Sequence, residues 1–275
     1  MNPTSETNVR HILSLSGGKD SAALAIYMRD RVPQMEYIFH DGGAELDETL
    51  DYLNRLEAIL GKAINRTAPR ENFDHWLTVY GDMLPSNHRR WCTKMLKLKP
   101  FEEYVGDDPV INYVGIRADE PRIGYISTKP SITAIYPFRD DGLVRADIIR
   151  LLEDSGLGLP KYTDWGRTRS GCFFCFYQQK IEWVRLKQTH PKKFEEAKEY
   201  EGRGLERNGR HFWWSENESL EDLERPERMA EIERDWMEAQ ERRKARRGNL
   251  PLVQILGGRE LPEEPEERGC LICSL

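Results

Sequence analysis

The run His11-Ile12-Leu13-Ser14-Leu15-Ser16-Gly17-Gly18-Lys19-Asp20-Ser21 constrains this chain more than any other stretch. A short apolar segment that stops at a glycine pair reads as a buried strand. Ala22-Ala23-Leu24-Ala25-Ile26-Tyr27-Met28 reads as the helix that follows it. So short a turn leaves the first N–H groups of the helix, and the positive end of its dipole, facing any approaching anion. Gly17 and Gly18 let the backbone come close to that anion, Ser16 and Ser21 add hydroxyls, and Lys19 adds a mobile positive charge. The segment is a candidate phosphate cradle. It is not the Gly-x-x-x-x-Gly-Lys-Ser/Thr loop, because too few residues separate strand from helix.

Composition narrows the setting. The 275-residue chain is 32% charged and 39% apolar, with a net charge of −6. That balance excludes a uniformly basic coat for nucleic acid but leaves room for a local basic patch. No apolar run approaches the ~20 residues of a membrane span, and none precedes residue 12, so neither an anchor nor a secretory signal is expected. The five cysteines are clustered: Cys92, Cys172-x-x-Cys175 and Cys270-x-x-Cys273. Clustering of this kind favours metal binding or redox chemistry over structural disulfides, and a cytoplasmic location is expected.

Alternating patterns along the chain predict a βαβ unit. Strand 11–16 and helix 21–31 are followed by an apolar run over 37–41 and a helix over 46–60 with leucines at helical spacing. Further strands are expected at 110–115 and 134–137, and a helix at 143–152. Residues 180–247 alternate Glu, Lys and Arg with occasional Trp or Leu, which suggests surface helices outside the sheet. The division expected is 1–180 for the nucleotide and sulfur domain, 181–247 for a helical region and 248–275 for an extended tail.

Ser-Gly-Gly-Lys-Asp-Ser at 16–21 resembles the signature of the PP-loop ATP pyrophosphatases, and four later segments resemble their phosphoadenosine-phosphosulfate reductase branch. His40-Asp41-Gly42-Gly43 with Glu48-Thr49 is similar to the family's Asp-Thr-Gly…Glu-Thr, with Gly42 standing where the family has threonine. Trp91-Cys92-Thr93-Lys94-Met95-Leu96-Lys97-Leu98-Lys99-Pro100 is similar to its cysteine-plus-basic helix, with one cysteine where cluster-bearing reductases have a pair. Lys94 and Lys97, three apart, are expected to share a helix face. Gly115-Ile116-Arg117-Ala118-Asp119-Glu120-Pro121-Arg122 is similar to the segment whose arginines face substrate phosphates, with Asp119 and Glu120 orienting them or helping to hold Mg²⁺. The closing match runs from Pro137-Phe138-Arg139-Asp140 to Gly171-Cys172-x-x-Cys175. Together the resemblance covers about residues 11–180.

The fold implied is α/β: a doubly wound, mostly parallel sheet with a helical C-terminal region. The nucleotide-binding residues implied are Ser14, Ser16, Gly17, Gly18, Lys19, Asp20, Ser21, Asp41, Gly42, Gly43, Gly115, Arg117 and Arg122. Lys19, Asp20, Arg117, Cys172 and Cys175 are the implied catalytic set. A [4Fe–4S] cluster on Cys92, Cys172 and Cys175, with Cys273 or an external group as fourth ligand, is favoured by the resemblance. Zn²⁺ on the two Cys-x-x-Cys pairs is the alternative, and the tail cysteines also fit a persulfide carrier.

The whole pattern looks most like the ATP pyrophosphatases of bacterial DNA phosphorothioation systems. That implies ATP and Mg²⁺ as reactants, a DNA backbone phosphate as acceptor, and a cysteine desulfurase and other modification-system proteins as partners. No membrane partner is implied, and a homo-oligomer is left open. Arg167, Arg169 and the run Arg242-Arg243-Lys244-Ala245-Arg246-Arg247 are the expected DNA contacts. A sulfonucleotide reductase that releases sulfite is the competing enzyme, and a non-catalytic nucleotide sensor the competing non-enzyme.

Overall fold

The computed structural model describes residues 9–122, 124 and 129–248. In chain order the elements are β1 (Arg10–Leu15), α1 (Lys19–Met28), β2 (Glu36–His40), α2 (Asp47–Leu60), β3 (Ile64–Thr67) and α3 (Phe73–Val79). Then come α4 (Trp91–Thr93), a π-helical turn over Lys94–Leu98, α5 (Lys99–Val105), β4 (Val110–Tyr113), β5 (Ile132–Ile135), α6 (Pro137–Asp140) and α7 (Arg145–Asp154). The last helices are α8 (Lys180–Thr189), α9 (Pro191–Asn208), α10 (Leu220–Leu223) and α11 (Pro226–Gly248).

The five strands form one sheet in the order β3-β2-β1-β4-β5, and every pairing is parallel. Parallel neighbours need crossovers, and those crossovers cover both faces of the sheet with helices. Leu13, Leu15, Tyr37 and Phe39 point to one face, where they pack with Ala22, Leu24, Leu53, Leu56, Ile148 and Leu152 of α1, α2 and α7. Ile12, Ile38, Val110 and Ile132 point to the other, against Phe101 and Val105 of α5. The doubly wound α/β fold is therefore present. Strand order reverses between β1 and β4, and in such sheets ligands lie outside the strand ends at that switch point.

Two sequence expectations shift. Helix α1 begins at Lys19, two residues before the expected start, so the lysine of the candidate cradle belongs to the first helical turn. Residues 132–135 rather than 134–137 form the last strand, because Pro137 opens α6 instead of ending β5.

The described residues divide into two compact units, one built from 9–80 and 88–173, the other from Gly81–Asn87 and 174–248. The sheet belongs to the first. In the second, α8 and α9 bury Trp183, Leu186, Phe194 and Ala197, and Phe174 stacks on Trp214 at 5.1 Å. The Glu201 carboxylate accepts the Trp214 and Leu220 backbone N–H groups at 2.9 and 2.7 Å. Burial pushes that carboxyl up to about 7 against those two hydrogen bonds.

A polar stripe crosses the α5-facing side of the sheet. Register places Thr67, His40, Ser14 and Asn112 on this one face of β3, β2, β1 and β4. Thr67 Oγ1 lies 2.6 Å from His40 Nδ1. Asn112 is fully buried, and neither end of its amide has a hydrogen-bond partner among the described residues. An amide buried in this way costs about 1–3 kcal/mol on protein mutational scales, and a same-sized apolar side chain avoids that cost. Asn112→Leu is therefore expected to raise the unfolding free energy by about 1–3 kcal/mol, read as a higher urea midpoint at unchanged slope. A lower midpoint would show that the Asn112 amide is satisfied in solution.

Candidate functional site

The turn after β1 is braced from within. Ser21 Oγ donates to Gly18 O and accepts from the Ser16 N–H, both at 3.2 Å, and lies 3.2 Å from Ser16 Oγ. Gly17 has φ +69°, and a Cβ there would stand 2.3 Å from Thr49 Cγ2 of α2. A side chain at Gly18 would meet Ser170 Oγ at 2.9 Å, so the 166–172 segment lies against the turn. Ser170 Oγ also donates to Ser16 Oγ at 3.3 Å. These close approaches leave backbone, rather than side chains, at the mouth of the α1 N-terminus. Gly18 is the helix N-cap and offers no side chain of its own to the first-turn N–H groups.

The charges at this mouth are organised by Arg117, which is 7% exposed. Its guanidinium donates to Asp20 at 2.9 Å and to Asp119 at 2.9 Å, and lies 3.1 Å from Glu120. Burial opposes its charge, but Asp20, Glu120 and Asp119 outweigh that and hold it firmly protonated. Burial likewise pushes the Asp20 carboxyl up, yet Lys19 and Arg117 beside it prevail and bring it down to about 2. Lys19 Nζ stands 3.3 Å from Asp20. Gly115 makes this meeting physically available, since a Cβ there would press on Asp20 O at 3.1 Å. Glu120 also pairs with Arg122, whose carbonyl accepts from Arg139.

Asp41, Gly42 and Gly43 follow β2 in a turn closed by the Gly43 N–H on Asp41 Oδ1 at 2.8 Å. Thr49, of the Glu-Thr pair expected near the nucleotide, is the residue packed on Gly17, and Glu48 accepts from Trp165 Nε1 at 3.1 Å. Ser14 lies below the turn, 1% exposed, inside the sheet. The structure thus brings Ser16, Gly17, Gly18, Lys19, Asp20, Ser21, Gly115 and Arg117 to one place at the switch point.

Two expectations are corrected. Lys94 and Lys97 do not share a face. The Lys99 N–H bonds Lys94 O in a π turn, Lys94 is exposed and Lys97 half-buried, and the Lys97 charge is felt at His40 and Glu45. Arg167, expected on DNA, is 2% exposed and donates to the carbonyls of Arg169, Gly171 and Cys172 at 3.0, 2.9 and 2.7 Å. It holds the shape of the segment that carries Cys172.

Sequence reasoning missed Glu45 and gave His40 no role of its own. Glu45 is half-buried with Oε1 4.0 Å from Cys172 Sγ, and burial raises its carboxyl while Lys97 and Arg167 pull it down. Burial, with Lys97 adding to it, brings His40 to about 4, so it is neutral near pH 7. For His40 the one available signal was polarity at the end of an otherwise apolar strand; Glu45, in the loop before α2, offered none.

Cys92, Cys172 and Cys175 are half-buried thiols outside any disulfide. Cys92 and Cys172 belong to the first unit and Cys175 to the second. Among the described residues no three His, Cys, Asp or Glu side chains gather as a metal-holding group. Cys270 and Cys273 lie outside the described residues. The described thiols do not by themselves assemble a cluster site. The carboxylates Asp20, Asp119 and Glu120 fit as partners of Arg117 rather than as a ready-made Mg²⁺ cage.

Residues 10–133 match the phosphoadenosine phosphosulfate reductase domain. Two uncharacterized proteins of Methanocaldococcus jannaschii are similar to the chain. One is 30% identical over 198 residues, covering 67% of this chain and 40% of its own length. The other is 26% identical over 200 residues, covering 66% and 45%. The chain thus spans less than half the length of these relatives. Among solved structures, a phosphoadenylyl-sulfate reductase from Candida auris is similar at TM-score 0.48 and 14% identity, covering 60% of this chain and 82% of that one. A U34-tRNA thiolase from Methanococcus maripaludis, solved with its [4Fe–4S] cluster, is similar at TM-score 0.37 and 15% identity, covering 74% of each chain. No helix among the described residues is long and apolar enough to cross a membrane.

Arg117 stands between three carboxylates, and removing a buried partner from such a set costs about 3–5 kcal/mol. Arg117→Ala is expected to lose about that much unfolding free energy at pH 7. Asp20 sits near 2, below its ordinary 3.8, so its contribution is present above about pH 4 and fades as pH falls toward 2. The gap between wild type and variant should therefore narrow in acid. A gap that stays constant down to pH 2 would show that Arg117 acts through packing alone.

Proposed function

We propose that this chain is an ATP pyrophosphatase that adenylates an acceptor for sulfur incorporation, with a DNA backbone phosphate as the acceptor. The observation that carries the reading is the bare, glycine-lined N-terminus of α1 at the switch point, with Lys19 in its first turn and the Arg117–Asp20 pair across from it. An acceptor oxygen attacks the α phosphorus of ATP, the bond from that phosphorus to the bridging oxygen breaks, and pyrophosphate leaves. The negative charge that builds on the leaving group is met by the α1 N–H groups and Lys19. Mg²⁺ would enter with the nucleotide, carried by its phosphate oxygens, and would supply charge neutralisation there. Arg117 is a positioning residue here, because its guanidinium is engaged by Asp20, Asp119 and Glu120. In a second displacement, sulfur at the sulfide level attacks the adenylated phosphorus and AMP departs. The sulfur derives from a cysteine desulfurase persulfide together with a thiol reductant.

The basic end of α11 supports DNA as acceptor: Arg243 and Lys244 are exposed, and Arg242 is paired with Glu238 at 3.3 Å. A [4Fe–4S] cluster is what the family resemblance favours: it would draw on Cys92, Cys172 and Cys175 with Cys273 as fourth ligand, and Zn²⁺ on Cys172, Cys175, Cys270 and Cys273 is the alternative. A sulfonucleotide reductase remains the second reading, favoured by the match of residues 10–133 to the phosphoadenosine phosphosulfate reductase domain.

Product analysis separates the two readings. ATP with Mg²⁺ and DNA is expected to yield pyrophosphate and AMP, and Lys19→Ala to lower pyrophosphate release by at least about a hundredfold while the fold persists. Sulfite release from a sulfonucleotide, with no pyrophosphate from ATP, would contradict the proposal. In anaerobically purified protein about four irons per chain are expected, lost in Cys172→Ser and Cys175→Ser. Zinc in place of iron would overturn the cluster.

A further inference from the structure

A surface on the first unit is built unlike the rest of the molecule. Phe73, Trp91, Tyr80 and Trp76 form a ladder of aromatic rings. Phe73 and Trp91 lie 5.1 Å apart, Trp91 and Tyr80 are stacked at 5.2 Å with planes 16° apart, and Tyr80 and Trp76 lie at 6.3 Å. Phe73 and Trp91 are buried, whereas Tyr80 at the end of α3 is 36% exposed. The hidden rings therefore hold the exposed one rigid. Such an arrangement presents an aromatic face with little entropy left to lose on binding.

Positive charge is dense in the segment that carries Trp91. Residues 88–99 carry Arg89, Arg90, Lys94, Lys97 and Lys99 and no Asp or Glu. Lys99 Nζ lies 5.8 Å over the Trp76 ring. The π turn that joins Lys94 O to the Lys99 N–H brings these two exposed lysines toward one side, while Lys97 is half-buried. Glu71, just before α3, lies 3.5 Å from His75, and Asp74 in the first turn of α3 is the other carboxylate of this segment. The combination of a rigid, exposed ring and cations spaced along one helix suits a ligand with both π faces and a repeating negative charge.

We propose that this surface binds single-stranded nucleic acid, with an unpaired base stacked on Tyr80 and backbone phosphates at Lys94 and Lys99. A paired duplex keeps its bases stacked on one another and offers Tyr80 no free face, so the surface selects unpaired strands. As a substrate-docking surface the proposal rests on the acceptor reading above, but the binding itself needs no ATP and is measured without it.

The test is fluorescence anisotropy of a labelled twelve-nucleotide oligothymidylate and of a duplex of equal length, on the full chain. The single strand is expected to bind the more tightly. Stacking on an aromatic ring is worth enough per base that Tyr80→Ala should weaken single-strand binding about five- to a hundredfold, while Tyr80→Phe keeps it. Lys94→Gln with Lys99→Gln should lower the slope of log affinity against log salt by about 0.7 for each lysine. Tyr80 lies outside the phosphate cradle, so pyrophosphate release measured separately reports on the proposed chemistry and not on this surface. Equal binding by wild type and Tyr80→Ala, or a duplex held as tightly as the single strand, overturns the proposal.

Discussion

The buried pairing of Arg117 with Asp20 is the constraint on which the rest of the site depends. Asp20 lies in the first turn of α1 and Arg117 in the loop after β4, so the pair ties together the two loops that part at the switch point. Once Arg117 is buried its charge must be met, and Asp20, Asp119 and Glu120 meet it. Asp20 in turn stands 3.3 Å from Lys19. Gly115 is required for the two loops to touch at all, since any side chain there would press on the α1 backbone. A cation, an anion and a second cation thus stand in a row beside the exposed N–H groups of α1. Under the proposed function, that arrangement would meet an incoming phosphate with positive charge set in place before the ligand arrives.

Much of this was legible in the sequence, for reasons that differ by element. β1 and β2 are central strands buried on both faces, so they read as continuous apolar runs ending in glycines. β3 was not seen: Ile64-Asn65-Arg66-Thr67 is an edge strand pairing only with β2, and three of its four side chains are free to be polar. The spacing of Lys94 and Lys97 misled because Pro100 follows closely. Proline lacks the N–H that an α-helix needs and its ring crowds the carbonyl four residues back. The helix widens to a π turn just before it, and widening changes which residues share a face.

Arg167 shows a different limit. A sequence in which arginines cluster between glycines invites a reading as phosphate contacts, yet three backbone carbonyls near Cys172 claim this guanidinium. Loops with many glycines leave carbonyls unpaired, and a buried arginine satisfies several at once. Glu45 and His40 were illegible for the complementary reason: their chemistry comes from burial beside Lys97 and Cys172, which no local spacing encodes. The turn after β1 was readable because its geometry lies in the backbone, and backbone demands write themselves into sequence as glycines.

A crystal structure with an ATP analogue that cannot be cleaved between its α and β phosphates tests the central claim most directly. The account expects the β and γ phosphate oxygens within hydrogen-bond distance of the Gly17, Gly18 and Lys19 N–H groups, with the Arg117–Asp20 pair intact beside them. A nucleotide bound elsewhere, or held by side chains with the α1 N-terminus left bare, would contradict it.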